Sequence, residues 1–200
     1  MTPSDLHAKR LLLVDLITTY SHAGKTIVFC NTKRECENVV SGVSAIMPAE
    51  ALHGDIAQEM REYTMARFRE GKTKVLVATD VAARGLDVNN VDLVVHWDVP
   101  SDPETYLHRS GRTGRAGNKG TAIVLFGQRD KGKIGLIIKE TKADMDLIGP
   151  PSPQQVINSA ANNIEKSLQG TNIEVAKYFA PVAARMLEKG IGEATTPVQV

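Results

Sequence analysis

The chain has 200 residues, 42% hydrophobic and 24% charged, the values of an ordinary globular protein and not of a disordered or fibrous one. Twenty-four basic side chains nearly balance 23 acidic ones, and a formal net charge of +1 excludes a uniformly basic nucleic-acid coat. No apolar run approaches the ~18–20 residues that cross a bilayer, and two cysteines, Cys30 and Cys36, are too few and too poorly spaced for a metal site.

In chain order, Leu6, Leu13, Leu16, Ile17 and Tyr20 recur at helical spacing and predict a helix from Asp5 to Tyr20. Thr26 to Cys30 reads as a short buried strand, with Cys30 in the core. Thr32 followed by Glu35 is a capping-box pair that opens a helix running to about Ile46. Ala49 to Leu52 is a second strand, and Gln58 to Glu70 a helix stopped by Gly71. Val75 to Ala78 and Leu93 to Trp97 are nearly continuous apolar runs, the pattern of strands covered on both faces. Asp102 to about Ser110 is predicted helical, Thr121 to Phe126 a strand, and Arg129 to Thr141 helical again. This alternation is that of an α/β protein with a mainly parallel sheet.

Gly149-Pro150-Pro151-Ser152-Pro153 marks a break. Beyond it, Val156, Ile157, Ala160, Ala161, Ile164 and Leu168 form an amphipathic helix ended by Gly170. Thr171 with Glu174 opens a second, which Pro181 should kink or restart and Gly190 should stop. The organisation expected is a domain over 1–148, a helical extension over 149–190 and a flexible tail over 191–200.

Chemistry concentrates in His108-Arg109-Ser110-Gly111-Arg112-Thr113-Gly114-Arg115 and, upstream, in Ala78-Thr79-Asp80-Val81-Ala82-Ala83-Arg84-Gly85-Leu86-Asp87. Arginine keeps its charge at every relevant pH and its planar fork of donors fits phosphate oxygens. His108, Arg112 and Arg115 are spaced four and three apart, so a helical turn would place them on one face. From Thr105 to Gln128 there are three arginines, Lys119 and no acid, so the small excess of charge is gathered where phosphate chemistry would sit.

These two segments resemble motifs VI and V of the DEAD-box RNA helicases of superfamily 2. Ile27-Val28-Phe29-Cys30-Asn31-Thr32-Lys33 is similar to their motif IV, and His53-Gly54-Asp55 with Gln58 and Arg61 to their QxxR element. The resemblance runs in order from about residue 7 to about residue 128 and feels closest to the nucleolar and organellar branch. It implies a RecA-like three-layer fold followed by a short α-helical extension. It also implies the second of two such domains. A phosphate-cradling G-x-x-x-x-G-K-[ST] loop belongs to the first. Here Gly24-Lys25-Thr26 precedes a strand, and Thr19 stands where the loop's first glycine would fall. No acidic box for magnesium is present either.

By the same resemblance, Arg112 and Arg115 reach the γ-phosphate, with Arg115 as the finger, and Gly85 and Asp87 meet the ATP ribose. Thr79 contacts the RNA backbone through its hydroxyl or amide, and Asn31, Thr32 and Arg61 add phosphate contacts. His108 couples the domains. Arg109 has a local partner in Asp80 or Asp87 and no substrate role. ATP and Mg2+ are expected on the N-terminal domain mainly, RNA as a sequence-nonspecific partner, and the chain alone inactive. The extension either covers its own domain or pairs with a second copy, since apolar patches of several hundred Å² usually mark interfaces. A stand-alone RNA-binding or scaffold module that no longer uses ATP is the alternative class. The compartment is not readable from the residues, although the branch implies nucleolus or organelle, and no membrane partner is expected.

Overall fold

The computed structural model describes residues 3–83, 91–114, 119–169 and 173–188. Helix α1 (Pro3–Tyr20) is followed by β1 (Thr26–Phe29), α2 (Lys33–Val43), β2 (Ala49–Leu52), α3 (Gln58–Arg69), β3 (Val75–Ala78) and a single turn, α4 (Asp80–Ala83). Then come β4 (Leu93–His96), α5 (Pro103–Ser110), β5 (Thr121–Val124), a 3-10 turn at Gln128–Asp130, α6 (Lys131–Thr141), α7 (Pro153–Gln169) and α8 (Ile173–Glu188).

All five strands are parallel, in the order β2-β3-β1-β4-β5. The chain leaves β1 toward β2 in one direction and returns through β3 to β4 and β5 in the other. Right-handed crossovers then put α2 on one face and α3, α4 and α5 on the opposite one. Cys36, Val39 and Val43 of α2 accordingly join Leu13, Leu16 and Ile17 of α1 against Val28, Val75, Val77 and Val95. On the far side Met65 and Phe68 of α3, with Ala82 of α4, pack against Ile27, Phe29, Leu76 and Val94. Successive strand residues face opposite sides, so both faces of the sheet are apolar and each buried side chain contributes about 1.5–3 kcal/mol.

Local signals set the helix starts. Thr32 caps α2 with the reciprocal Glu35 bonds of a capping box. Asp102 accepts from the Thr105 amide at 2.7 Å to open α5, with Pro103 at its first position. The Ser101 hydroxyl, then the Thr105 amide and hydroxyl, hold the Asp102 carboxyl down to about 2. At α7, Ser152 and Gln155 exchange bonds in the same reciprocal way. Helix α3 ends ahead of Gly71, whose φ of +74° is free of strain without a Cβ.

The structure departs from the sequence reading at element ends. Helix α2 stops at Val43, short of Ile46, as the chain tightens into Ile46 N–H to Val43 carbonyl bonding. β4 and β5 end before Trp97 and Phe126, because the last inter-strand bonds are Trp97 to Phe29 and Leu125 to His96. Helix α8 continues from Ile173 to Glu188 with Pro181 inside it, so the proline does not restart the helix. Two compact units are present, Met1–Ala160 and Ala161–Val200. Gly170, Thr171 and Gly190, the expected stop and cap residues of the extension, lie outside the described residues, and so does the tail 191–200. Among the described residues no helix is long and apolar enough to cross a membrane.

His96, fully buried at the end of β4, stacks on Tyr106 of α5 at 5.4 Å, and its Nε2 lies 3.1 Å from the Ser110 hydroxyl. Burial first, then the Arg109 charge, pushes its pKa down to about 3. An unfolded histidine titrates near 6.5, so the unfolded chain takes up the proton first. The stability due to neutral His96 is therefore complete above about pH 6.5 and is lost as the pH falls toward 3. Between pH 6 and pH 5 the unfolding free energy should drop by about 1 kcal/mol from this residue, against a limit of about 1.4 kcal/mol per pH unit. Urea titrations of His96→Leu at both pH values should lack that drop; an unchanged drop would show that other groups cause it.

Candidate functional site

Three loops leave the carboxyl ends of neighbouring strands: Asn31 after β1, Thr79 and Asp80 after β3, and Asp98 after β4. Open α/β sheets bind ligands at this end, where the chain direction reverses. One side chain ties the three loops together. Arg109, in the last turn of α5 and 1% exposed, donates from Nε to Asp80 Oδ1 at 2.7 Å and from Nη2 to Asp80 Oδ2 at 2.6 Å. Its Nη2 also donates to Asn31 Oδ1 at 2.8 Å, and its Nη1 to the Asp98 carbonyl at 3.3 Å. The guanidinium lies 5.4 Å from the ring centre of Phe29. A donor-only, planar cation is thus met by acceptors in its own plane and by a π-face beneath, which is how a buried charge is kept. The sequence offered Asp80 or Asp87 as its partner; the partner is Asp80, and Asn31 and Asp98 join it.

Asn31 itself is exposed, and its amide N–H donates to Asp98 Oδ2 at 3.2 Å. Thr32 spends its hydroxyl and its amide on Glu35, leaving Lys33 and Arg34 as the first-turn amides outside the capping box. The Thr79 amide is taken by the Leu52 carbonyl at 3.2 Å, so of the two groups expected there only the hydroxyl remains to meet a ligand. Arg61 on α3 is half-buried, with Nη1 donating to Gln58 Oε1 at 3.1 Å and Nη2 to the Ala82 carbonyl of α4 at 3.5 Å. His108 stands off from this group: it is largely exposed and its Nε2 is 3.8 Å from Glu104 one turn back. Gly85, Asp87 and Arg115 lie outside the described residues.

Arg112 follows α5 half-buried, its amide donating to the Arg109 carbonyl at 3.2 Å. The turn after it is fastened. The Thr113 hydroxyl donates to the Val91 carbonyl, Gly114 takes a φ of +68°, and Val91 and Thr113 form an isolated parallel bridge. A Cβ on Gly120 would fall 2.0 Å from Thr113 Oγ1 and 2.3 Å from the Gly114 nitrogen, so only glycine lets β5 begin against this turn. Nothing in the spacing of Thr113 and Gly120 announced that contact. No group of His, Cys, Asp or Glu among the described residues is arranged to hold a metal ion. The two buried thiols are neighbours: Cys36 and burial raise the Cys30 pKa well above its usual range, which leaves it an inert core thiol.

The sequence pattern of the helicase conserved C-terminal domain matches residues 8–117. The chain is 46% identical over 187 residues to the chloroplastic DEAD-box ATP-dependent RNA helicase 3B of Zea mays, covering 94% of this chain and 25% of that protein. It therefore spans about a quarter of that relative's length. Among solved structures, the E. coli DEAD-box protein SrmB bound to regulator of ribonuclease activity A superposes with a TM-score of 0.65 at 36% identity, over 76% of this chain and 87% of that one. S. cerevisiae Dbp5 bound to RNA and ADP BeF3 gives a TM-score of 0.66 at 32% identity, over 79% of this chain and 43% of that one.

Replacing Arg109 by methionine leaves Asp80, Asn31 and the Asp98 carbonyl without their donor, and should cost about 3–5 kcal/mol of unfolding free energy in urea titrations. Arg109→Met with Asp80→Leu should recover part of it. A loss below about 1 kcal/mol, the worth of a solvated pair, would overturn the anchoring role.

Proposed function

The chain belongs to the DEAD-box helicases as one of their C-terminal, RecA-like domains, and from that membership we propose that it is the second half of an ATP-dependent RNA helicase motor. The observation that carries the reading is the Arg109 anchor, which bonds Asn31 and Asp80, the residue after Thr79, three residues ahead of Arg112 in the same segment. One motif thereby serves two ligands.

On the nucleotide side, Arg112 and Arg115 face the γ-phosphate of an ATP bound mainly, with Mg2+, by the N-terminal domain, and Gly85 and Asp87 meet its ribose. The donor set suits a polyphosphate, because guanidinium groups only donate and no acid lies between Thr105 and Gln128. Bound ATP supplies the phosphoryl group. Arg115 stabilises the charge that develops on transfer, Arg112 supports it, and His108 couples the two domains from the exposed end of α5. On the RNA side, Asn31, Arg61 and the Thr79 hydroxyl contact backbone phosphates and read no sequence, while Thr32, whose hydroxyl and amide both donate to Glu35, serves by capping the helix start beside them. Without the other domain, the chain hydrolyses no ATP. An organellar or nucleolar setting is in keeping with the chloroplastic name of the maize relative.

In the full-length protein Arg115→Ala should lower RNA-stimulated turnover by about 10³-fold or more while the KM for ATP moves only a few-fold, since a finger acts in the transition state. The present chain by itself serves as the blank in the same phosphate-release assay. Weakened ATP binding with unchanged turnover would refute the assignment.

A second reading concerns the extension over residues 150–190. Ile157, Ile164, Tyr178, Phe179 and Val182 are exposed, with Tyr178 at 81%, and this favours pairing with a second copy. Light scattering should then give a dimer mass for the whole chain and a monomer mass for a chain ending at Gly149. Monomers for both at tens of micromolar would exclude the pairing.

A further inference from the structure

We propose that Arg109 is a positioning residue for RNA: it fixes the polarity of the Asn31 carboxamide, so that the atoms this side chain presents outward are hydrogen-bond donors. The inference rests on the reading above that Asn31 meets an RNA phosphate, and it adds which atom does so and what holds it. A guanidinium has no acceptor, so the Asn31 atom 2.8 Å from Arg109 Nη2 must be the carbonyl oxygen. The backbone of Asn31 is held as well, its N–H bound to the Asp98 carboxylate at 3.2 Å. With both ends of the residue fixed, Nδ2 is left over. It has no partner among the described residues, on a side chain exposed to solvent.

An unrestrained asparagine would present either end, because its terminal torsion is broad and two-fold. A phosphate accepts and never donates, so half of those orientations would turn an oxygen toward it. Arg109 removes that half. It can do so because it is itself immobile, 1% exposed, held by both Asp80 oxygens and the Asp98 carbonyl, and seated over Phe29. The same guanidinium grips Asp80, the residue after Thr79, so two RNA contacts on different strands take their geometry from one side chain.

The test is nitrogen-15 NMR of this chain titrated with a single-stranded oligouridylate at low salt, with affinities and melting temperatures in parallel. The Asn31 side-chain amide pair is identified by its loss in Asn31→Asp. In the wild type it should stand away from the exposed-amide position and shift with RNA. Asn31→Asp keeps the acceptor for Arg109 but has no donor, and should lower affinity at least 10-fold with no fall in melting temperature. Arg109→Lys, a cation without the fork, should move the amide pair to the exposed position and abolish its response to RNA. If that variant does not fold, the wild-type shift and the Asn31→Asp affinity decide alone. An Asn31 pair that stays still while the Thr32 and Arg61 backbone amides shift overturns the inference and spares the RNA reading. So does unchanged affinity in Asn31→Asp. No shift anywhere in the domain overturns both.

Discussion

The fork of hydrogen bonds between Arg109 and Asp80 is the constraint on which the rest of the site hangs. Backbone ladders fix the strands relative to one another but say nothing about the loops that leave them. Here three such loops are brought to common coordinates by a cation whose donors lie in one plane at fixed angles, a demand that lysine, a point charge on a flexible stem, could not impose. Burying that cation is costly in itself, and a methionine with a leucine opposite would restore part of the stability lost with it. What an apolar pair would not do is hold Asn31, Asp80 and the Asp98 carbonyl at bonding distance from a single point.

The arginines of one short segment thus divide their labour. Arg109 is fully committed inside the protein, whereas Arg112 is half-buried at the start of a turn that the Thr113 hydroxyl pins to Val91. The glycines that follow them are there for geometry: Gly114 takes a left-handed φ and Gly120 leaves room for the turn it supports.

Much of this was readable from residue order. The Thr32–Glu35 box, the presence and starts of the five strands and the α5 start at Asp102 follow from local rules, so local inspection finds them. Helix α4 was not visible, since the four residues Asp80–Ala83 are too few to show a period. Nor were the ends of β4 and β5, which depend on how far each neighbour's ladder reaches. The role of Arg109 was legible only as a choice between two aspartates. Its decisive partners, Asp80 and Asn31, lie 29 and 78 residues away in sequence, and their meeting is a product of strand order. The same holds for the Thr79 amide, lost to Leu52 across an adjacent strand. Residue type announces chemistry; topology decides which atoms remain available for it.

Strand order also governs how the domain comes into being. β1 leaves the ribosome before the other strands yet ends in the middle of the sheet, its edges taken by β3 and β4. Thr26 must wait for Val75, about fifty residues later, before it gains its first ladder neighbour, which at ~5–20 residues per second is roughly 2–10 s of synthesis. The second arrives with Leu93. Throughout that interval Ile27-Val28-Phe29 is an apolar strand with two open edges, the form most prone to pair with a foreign chain. Helices α1 and α2 flank it in sequence and pack on the Val28 side, so they are the shelter to hand during the wait. The face bearing Ile27 and Phe29 has none until α3 arrives, and that makes it the natural point of capture for a chaperone during translation.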